Sequence, residues 1–340
     1  MKKSKIITVL LVIAAVPLFG QKVSKVGTTA ASFLNIDAGA RGVGMGGAFV
    51  SVADDISSMY WNPAGLARMK QGEATFSNTR WIADIAYNYA GVAVPLGQFG
   101  TVGVNAAFLT MDEMLRTTVL DPEGASGETF SAGSYAFGLA YAKNLTDRFS
   151  IGFNFKYVQE RIWHTSASGM AVDIGTLFDT QFHGMKIGMS ISNYGTKMKM
   201  DGRDLVLQTD IDAASAGNNP SINAVLQTDK YDMPLLFRVG VSVDVLKGLY
   251  DSNLIVAVDA LHPNDDVEYV NAGVEYTYHR LVSLRAGYKS LFARDSEEGL
   301  SFGGGVTTKV FGRAAIRLDY AWGDFGILND IQKFSLGIGF

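Results

Sequence analysis

Apolar and polar side chains alternate along stretch after stretch of this chain. That period of two narrows the fold more than any other feature. In the stretch from Arg148 to Val158, Phe149, Ile151, Phe153, Phe155 and Tyr157 share one face and Ser150, Gly152, Asn154 and Lys156 share the other. In the same way Phe237, Val239, Val241 and Val243 oppose Arg238, Gly240, Ser242 and Asp244. Leu284, Ala286 and Tyr288 oppose Ser283, Arg285, Gly287 and Lys289, and Ile316, Leu318 and Tyr320 oppose Arg317 and Asp319. Strict alternation marks a strand with a different environment on each face. Segments of this kind lie near 73–80, 85–95, 99–111, 131–143, 148–162, 168–178, 184–194, 235–246, 252–261, 267–278, 281–291, 299–309, 312–322 and 331–340. Most have the length of roughly nine to thirteen residues that lets a tilted strand cross a bilayer.

The links between these segments alternate too. Leu96 to Gln98, Leu145 to Asp147 and His279-Arg280 are short, whereas Asp112 to Phe130 and Thr196 to Pro234 are long. Outer-membrane barrels have short periplasmic turns, long extracellular loops and an even strand count. A soluble β-sandwich also alternates. It does not account for so many strands, or for aromatic residues near strand ends at Tyr87, Tyr89, Trp163, Tyr276, Tyr278, Tyr320 and Trp322. The expected fold is all-β: a transmembrane antiparallel β-barrel of about 14 strands over residues 73–340, in contact with outer-membrane lipid.

The first 72 residues break the pattern. Lys2, Lys3 and Lys5 precede the apolar run Ile6 to Val16, and Gly20 is a small residue suited to a cleavage site. Residues 1–20 read as a signal peptide, since the run falls short of the roughly 18 residues needed to span a membrane. Residues 21–72 hold a glycine-rich stretch with Gly42, Gly44, Gly46 and Gly47, in a chain with 38 glycines among 340 residues. Such glycines let backbone approach backbone closely. Asp54 is a fair N-cap for a short helix through Met59 and Tyr60, and Asn62-Pro63 ends that helix, because a residue before proline is pushed out of the α region. The expectation is a compact internal plug over 21–72, with both ends of the mature chain on the periplasmic side.

These same residues carry a resemblance. Met45 to Ala67, MGGAFVSVADDISSMYWNPAGLA, resembles the N-terminal signature of the PorV/PorQ family of outer-membrane proteins, and Thr79 to Tyr89 is also similar to that family. The family is grouped with FadL-like transporters of hydrophobic compounds, whose hatch carries an element similar to Asn62-Pro63-Ala64 here. The resemblance implies a plugged barrel in the outer membrane of a Gram-negative bacterium. It implies a non-enzymatic component of type IX-like protein secretion, with a translocon, a cargo protein or a surface protease as partner at its outer loops. A FadL-like channel for hydrophobic small molecules is the alternative, and composition and periodicity do not separate the two.

The residues themselves carry little other chemistry. Gly42, Gly44 and Gly47 fit G-x-G-x-x-G, but no strand–turn–helix unit surrounds them, so no nucleotide is expected. His164, His183, His262 and His279 lack ligand spacing, cysteine is absent, and no cofactor or metal is expected. A net charge of −4 gives no electrostatic case for nucleic acid. Asp54 and Asp55 have two readings: capping near a helix start, or ion pairs to a wall base such as Arg238, Arg285 or Arg317. Arg41 has Asp244, Asp259, Glu275 and Asp319 as candidate partners. Met45, Phe49, Tyr60 and Trp61 serve either as packing or as a greasy binding surface. The long link Thr196 to Pro234 has enough apolar content to pack over the mouth or against a partner. At the C-terminus, Phe334, Leu336, Ile338 and Phe340 alternate and end in phenylalanine, resembling the signal read by the barrel assembly machinery. Replacing Phe340 with serine is expected to lower the amount of heat-modifiable barrel in the outer membrane while export continues. Normal barrel levels in that variant would remove the terminal run as an assembly signal.

Overall fold

A computed structural model describes residues 26–212, 214, 219, 221–247, 249–293, 296–310 and 314–340. The expected signal peptide at 1–20 lies outside them. Fourteen strands make the wall: β1 (Glu73–Arg80), β2 (Ala86–Pro95), β3 (Thr101–Thr110), β4 (Ala132–Asn144), β5 (Phe149–Ile162), β6 (Thr165–Asp179), β7 (Lys186–Gly195), β8 (Leu236–Asp244), β9 (Ser252–Pro263), β10 (Tyr269–Tyr278), β11 (Val282–Leu291), β12 (Leu300–Val310), β13 (Ala314–Gly323) and β14 (Ile331–Gly339). Each pairs antiparallel with its sequence neighbours. The ring closes where β14 pairs with β1, Glu73 opposite Gly339 and Phe76 opposite Leu336. Closure leaves no open sheet edge to seek a partner. Among the described residues, no helix is long and apolar enough to cross a membrane.

The two faces of the wall are inverted relative to a soluble protein. Leu139, Phe155, Leu284, Leu318 and Phe334 are all more than half exposed on the outside, whereas Asn154, Asp173, Arg238, Asp259, Glu275, Arg285 and Asp319 are buried inside. An apolar band facing outward around a polar interior is the arrangement that lipid requires. Tyr276, Tyr278 and Tyr320 face outward as expected of an interface girdle. Tyr87 and Tyr89 do not. They face inward and are buried in the same apolar cluster as Phe33 and Leu34. Trp163 is not on a strand either; it sits in the turn after β5 with a φ of 50°.

Strand parity sorts the links. Those after even-numbered strands lie at one end, together with the chain end, where the Phe340 N–H donates to the Gly72 carbonyl at 2.8 Å. Those after odd-numbered strands lie at the other end and include 111–131 and 196–235. The N-terminal segment enters at this second end. Ala30 donates its N–H to the Asp232 carbonyl at 2.9 Å, and Thr29 Oγ1 donates to Asp265 at 2.7 Å. The segment leaves at the first end, where Asn144 donates to the Ala67 carbonyl at 2.9 Å. In between it touches strands on opposite sides of the ring, and its apolar residues from Ala38 to Leu66 are buried apart from the half-buried Val43 and Tyr60. The expectation that both ends of the mature chain share one side involves its expected start, Gln21, which lies outside the described residues. Thr29 and Gly72 lie at opposite ends of the barrel.

Within this segment, short helices α1 (Ala40–Gly44) and α2 (Ser58–Trp61) are followed by a 3-10 turn over Pro63–Arg68. Asp54 does not cap α2; Ser57 is its N-cap, without a side-chain capping bond. Asp55 instead accepts the Ser57 N–H at 2.9 Å. Asn62 ends α2 in an extended conformation and caps the 3-10 turn by accepting the Ala64 N–H at 3.2 Å.

Glycines on both partners bring segment and wall together. A Cβ on Gly46, whose φ is +64°, would lie 2.6 Å from Tyr288 N. One on wall residue Gly287 would overlap Gly46 N and Met45 C, and one on Gly152 would overlap Pro63. A Cβ on outward-facing Gly304 meets nothing nearer than 3.8 Å. Gly287→Leu is thus expected to cost about 1–3 kcal/mol, the range for overpacking, and Gly304→Ala to stay within about 0.5 kcal/mol. The unfolding temperature of the heat-modifiable barrel measures both; equal effects would contradict the seating described here.

Candidate functional site

The enclosed segment is tied to the wall by a closed ring of charges. Arg41 on α1 donates to Glu275 of β10 through Nε at 2.9 Å and Nη2 at 2.8 Å. Glu275 also accepts from Arg285 Nε on β11 at 2.6 Å, and Arg285 Nη1 reaches Asp319 of β13 at 2.7 Å. Asp319 lies 3.2 Å from Arg317 Nε, and Arg317 Nη1 lies 3.4 Å from Asp55. Asp55 returns to Arg41 Nη1 at 2.9 Å. Three arginines and three carboxylates alternate around the ring. Asp54 joins from outside through Arg41 at 2.6 Å, and Glu73 of β1 through Arg317 at 2.6 Å. Period two on the strands puts these wall charges inward, and the chain order brings β10, β11 and β13 against α1.

Both readings of the aspartates therefore hold at Asp55: it bonds the turn before α2 and pairs with Arg317. Arg238 is not its partner. That side chain, buried on β8, donates to Ser192 Oγ at 3.0 Å and lies 5.6 Å from the ring centres of both Tyr60 and Trp61. Of the candidate partners of Arg41, Glu275 is the one in contact. Asp259 instead accepts the N–H groups of Phe49 and Val50 at 2.7 and 2.8 Å.

The remaining motif residues act as fasteners. Asn62 Nδ2 donates to the Val50 carbonyl at 2.8 Å and to the wall carbonyl of Thr176 at 3.0 Å. Pro63 lies against Gly175 and Gly152. Trp61 Nε1 donates to the Ala38 carbonyl at 2.9 Å, and a Cβ on Gly42 would lie 2.6 Å from the Trp61 ring. Gly44 lies against Gly303 of β12, and Gly47 has a φ of +74°. Met45, Phe49 and Trp61 pack into one buried cluster with Ala257. Asp37 was not singled out from the sequence, yet it pairs with Lys289 at 2.8 Å, and Lys333 donates to its backbone carbonyl. No local pattern marks it. Phe334, Leu336, Ile338 and Phe340 are all exposed at the seam of β14.

Beside Trp61 is a cavity of about 240 Å³. Its lining includes Asp37, Arg238, Asp265, Asp266, Lys289 and Glu298, so it is ionic rather than greasy. At the mouth, the base of link 196–235 packs inward: Met198 and Met233 are buried with Ala31, Phe33 and Leu34. Its outer part is a hairpin, Val206–Thr209 paired with Ile222–Val225, in which Val206, Ile222 and Val225 are exposed. The neighbouring link 111–131 is folded on itself by Asp121. The N–H groups of Ser126 and Ala125, at 2.9 and 2.7 Å, hold that carboxyl below its ordinary range. The described residues of the links at this end (81–85, 111–131, 163–164, 196–235, 264–268, 292–299, 324–330) carry 19 Asp and Glu against 5 Lys and Arg. Those at the other end (96–100, 145–148, 180–185, 245–251, 279–281) carry 2 against 3 among the described residues.

Arg41→Met removes the one base that bridges Glu275 and Asp55. Glu275 keeps Arg285 and Asp55 keeps Arg317, but the ring then holds three carboxylates against two arginines, and one uncompensated buried charge costs about 3–5 kcal/mol. Asp54→Asn removes a partly exposed spur and is expected to cost no more than about 1 kcal/mol. Denaturant midpoints of the purified barrel read the contrast, and comparable losses would mean the ring is not what holds the segment.

A family model described as "Type IX secretion system protein PorV" matches residues 19–219, more than half of the chain. No curated protein sequence matches. Among solved structures, a Pseudomonas aeruginosa FadL homologue gives a TM-score of 0.54 at 12% identity, covering 89% of this chain and 98% of its own. The Ralstonia pickettii toluene transporter TbuX gives 0.54 at 12% identity, covering 90% and 98%. The Pseudomonas putida toluene transporter TodX gives 0.53 at 12% identity, covering 89% and 96%. At this identity the likeness is one of fold.

Proposed function

The chain belongs to the family of the type IX secretion system protein PorV, and from that premise we propose that it serves protein secretion by binding a cargo protein or a partner of the secretion machinery at its outer links. It is an outer-membrane barrel of a Gram-negative cell. The family match is the observation that carries the reading. In this proposal residues 21–72 are a plug that stays shut, the long-link end faces outward, and no step of catalysis is needed. The exposed apolar residues of the hairpin in link 196–235, set in an acidic rim, supply a surface with both apolar and charged contacts. Apolar contacts give affinity, while the rim charge favours a basic partner and makes association salt-dependent.

The FadL-like barrels keep the alternative in view: uptake of a hydrophobic small molecule. Against it stands the ionic lining of the cavity beside Trp61, since sites for apolar ligands are lined mostly by hydrophobic side chains.

Deleting residues 206–225 separates the two. The deletion spares Met198 and Met233, so the barrel is expected to assemble. Release or surface attachment of cargo should fall by tenfold or more, with uptake of fatty-acid-like compounds unchanged. Loss of uptake with a normal secreted proteome would establish the transporter instead.

A further inference from the structure

We infer that this barrel has a fifteenth crossing: the N-terminal segment runs through the lumen from the outside inward, so that residues 26–36 form part of the cell-surface face. Thr29 forms a parallel bridge with Asp232, in the long link after β7. Its hydroxyl bonds Asp265, in the link after β9. Both links follow odd-numbered strands and belong to the same end of the barrel. Val26 is two-thirds exposed at that end. Phe33 and Leu34 are buried against Met198 and Met233 of the same long link. From there the chain descends past the charge ring at Arg41 and Asp55. It reaches the opposite end at Arg68, which donates to Ser150 Oγ at 2.8 Å and pairs with Asp179 at the finish of β6. One pass through the lumen precedes fourteen through the wall, so Val26 and Phe340 lie on opposite sides.

Two consequences follow. The wall must close around the segment, because a finished ring with the charge network made leaves no opening for a chain to be threaded through. In addition, the outer face includes the strap 26–36 laid beside link 196–235, so a partner at that link also meets the start of the described chain.

The inference rests on the outward orientation proposed above, and the test keeps the two apart. The chain has no cysteine, so single-cysteine variants Val26→Cys, Leu226→Cys and Lys70→Cys can be labelled cleanly. Each is first checked for heat-modifiability. An impermeant maleimide is then added to intact cells and, separately, to cells with a permeabilised outer membrane. The expected result is labelling of Val26→Cys and Leu226→Cys in intact cells, and of Lys70→Cys only after permeabilisation. If Val26→Cys behaves like Lys70→Cys while Leu226→Cys is labelled from outside, the fifteenth crossing is wrong and the orientation stands. If Lys70→Cys alone is labelled in intact cells, the orientation is wrong and the surface strap falls with it.

Discussion

The ring of six charges linking Arg41, Glu275, Arg285, Asp319, Arg317 and Asp55 is the interaction on which the rest of the structure depends. A barrel of fourteen strands encloses more space than its own inward side chains fill, and polar inward residues need partners once water is displaced. Here a separate part of the chain supplies them. Two members of the ring come from the enclosed segment and four from three wall strands. An ion pair in such a place adds little net stability over a well-packed apolar contact, but it penalises every arrangement that leaves one charge alone. It therefore fixes where the segment sits more than how strongly it is held. Glycine completes the fit, since the contacts at Gly46–Tyr288 and Gly44–Gly303 leave no room for side chains.

The rest of the segment repeats this logic with backbone groups. Asp259 receives two N–H groups and Asn62 bridges Val50 to the wall at Thr176. Such bonds satisfy irregular backbone inside a membrane protein, which is tolerated only where protein or water supplies partners. The result is a barrel whose apolar face meets lipid outside and whose polar interior is paired partly within the wall, as at Lys156–Asp173, and partly with its own N-terminal segment. In the proposed function the binding surface is the strap, the exposed hairpin and the acidic links around the mouth.

The wall was legible in the sequence because alternation is a local property: each strand announces its own two faces, as Arg285 and Leu284 do. All fourteen segments appear, displaced by a few residues at most. The faces of Tyr87 and Tyr89 were misread because an aromatic near a strand end fits equally an interface girdle or a buried contact, and only the presence of Phe33 and Leu34 decides. The role at the start of that helix expected of Asp54 is taken by the neighbouring Asp55, which accepts the Ser57 N–H while pairing with Arg41 and Arg317, and Asp54 turns to Arg41 instead. The direction of the segment was not legible at all. It depends on Thr29 meeting Asp232 and Asp265, contacts more than 200 residues apart in the chain, and no local pattern records such a pairing. Asp37 escaped notice for the same reason: its partners Lys289 and Lys333 are distant in sequence and near only in the folded ring.

The central claim is that this protein serves secretion with its lumen permanently filled. Covalent locking tests it most directly. The Ala40 N–H donates to Ser335 Oγ of β14 at 2.8 Å, so the pair Ala40→Cys and Ser335→Cys places two thiols between segment and wall in a chain without other cysteines. The measurement is the rate of cargo release with this pair oxidised and then reduced. The account predicts the same rate in both states. A block on oxidation that reductant reverses would show that the segment must move, and would contradict it.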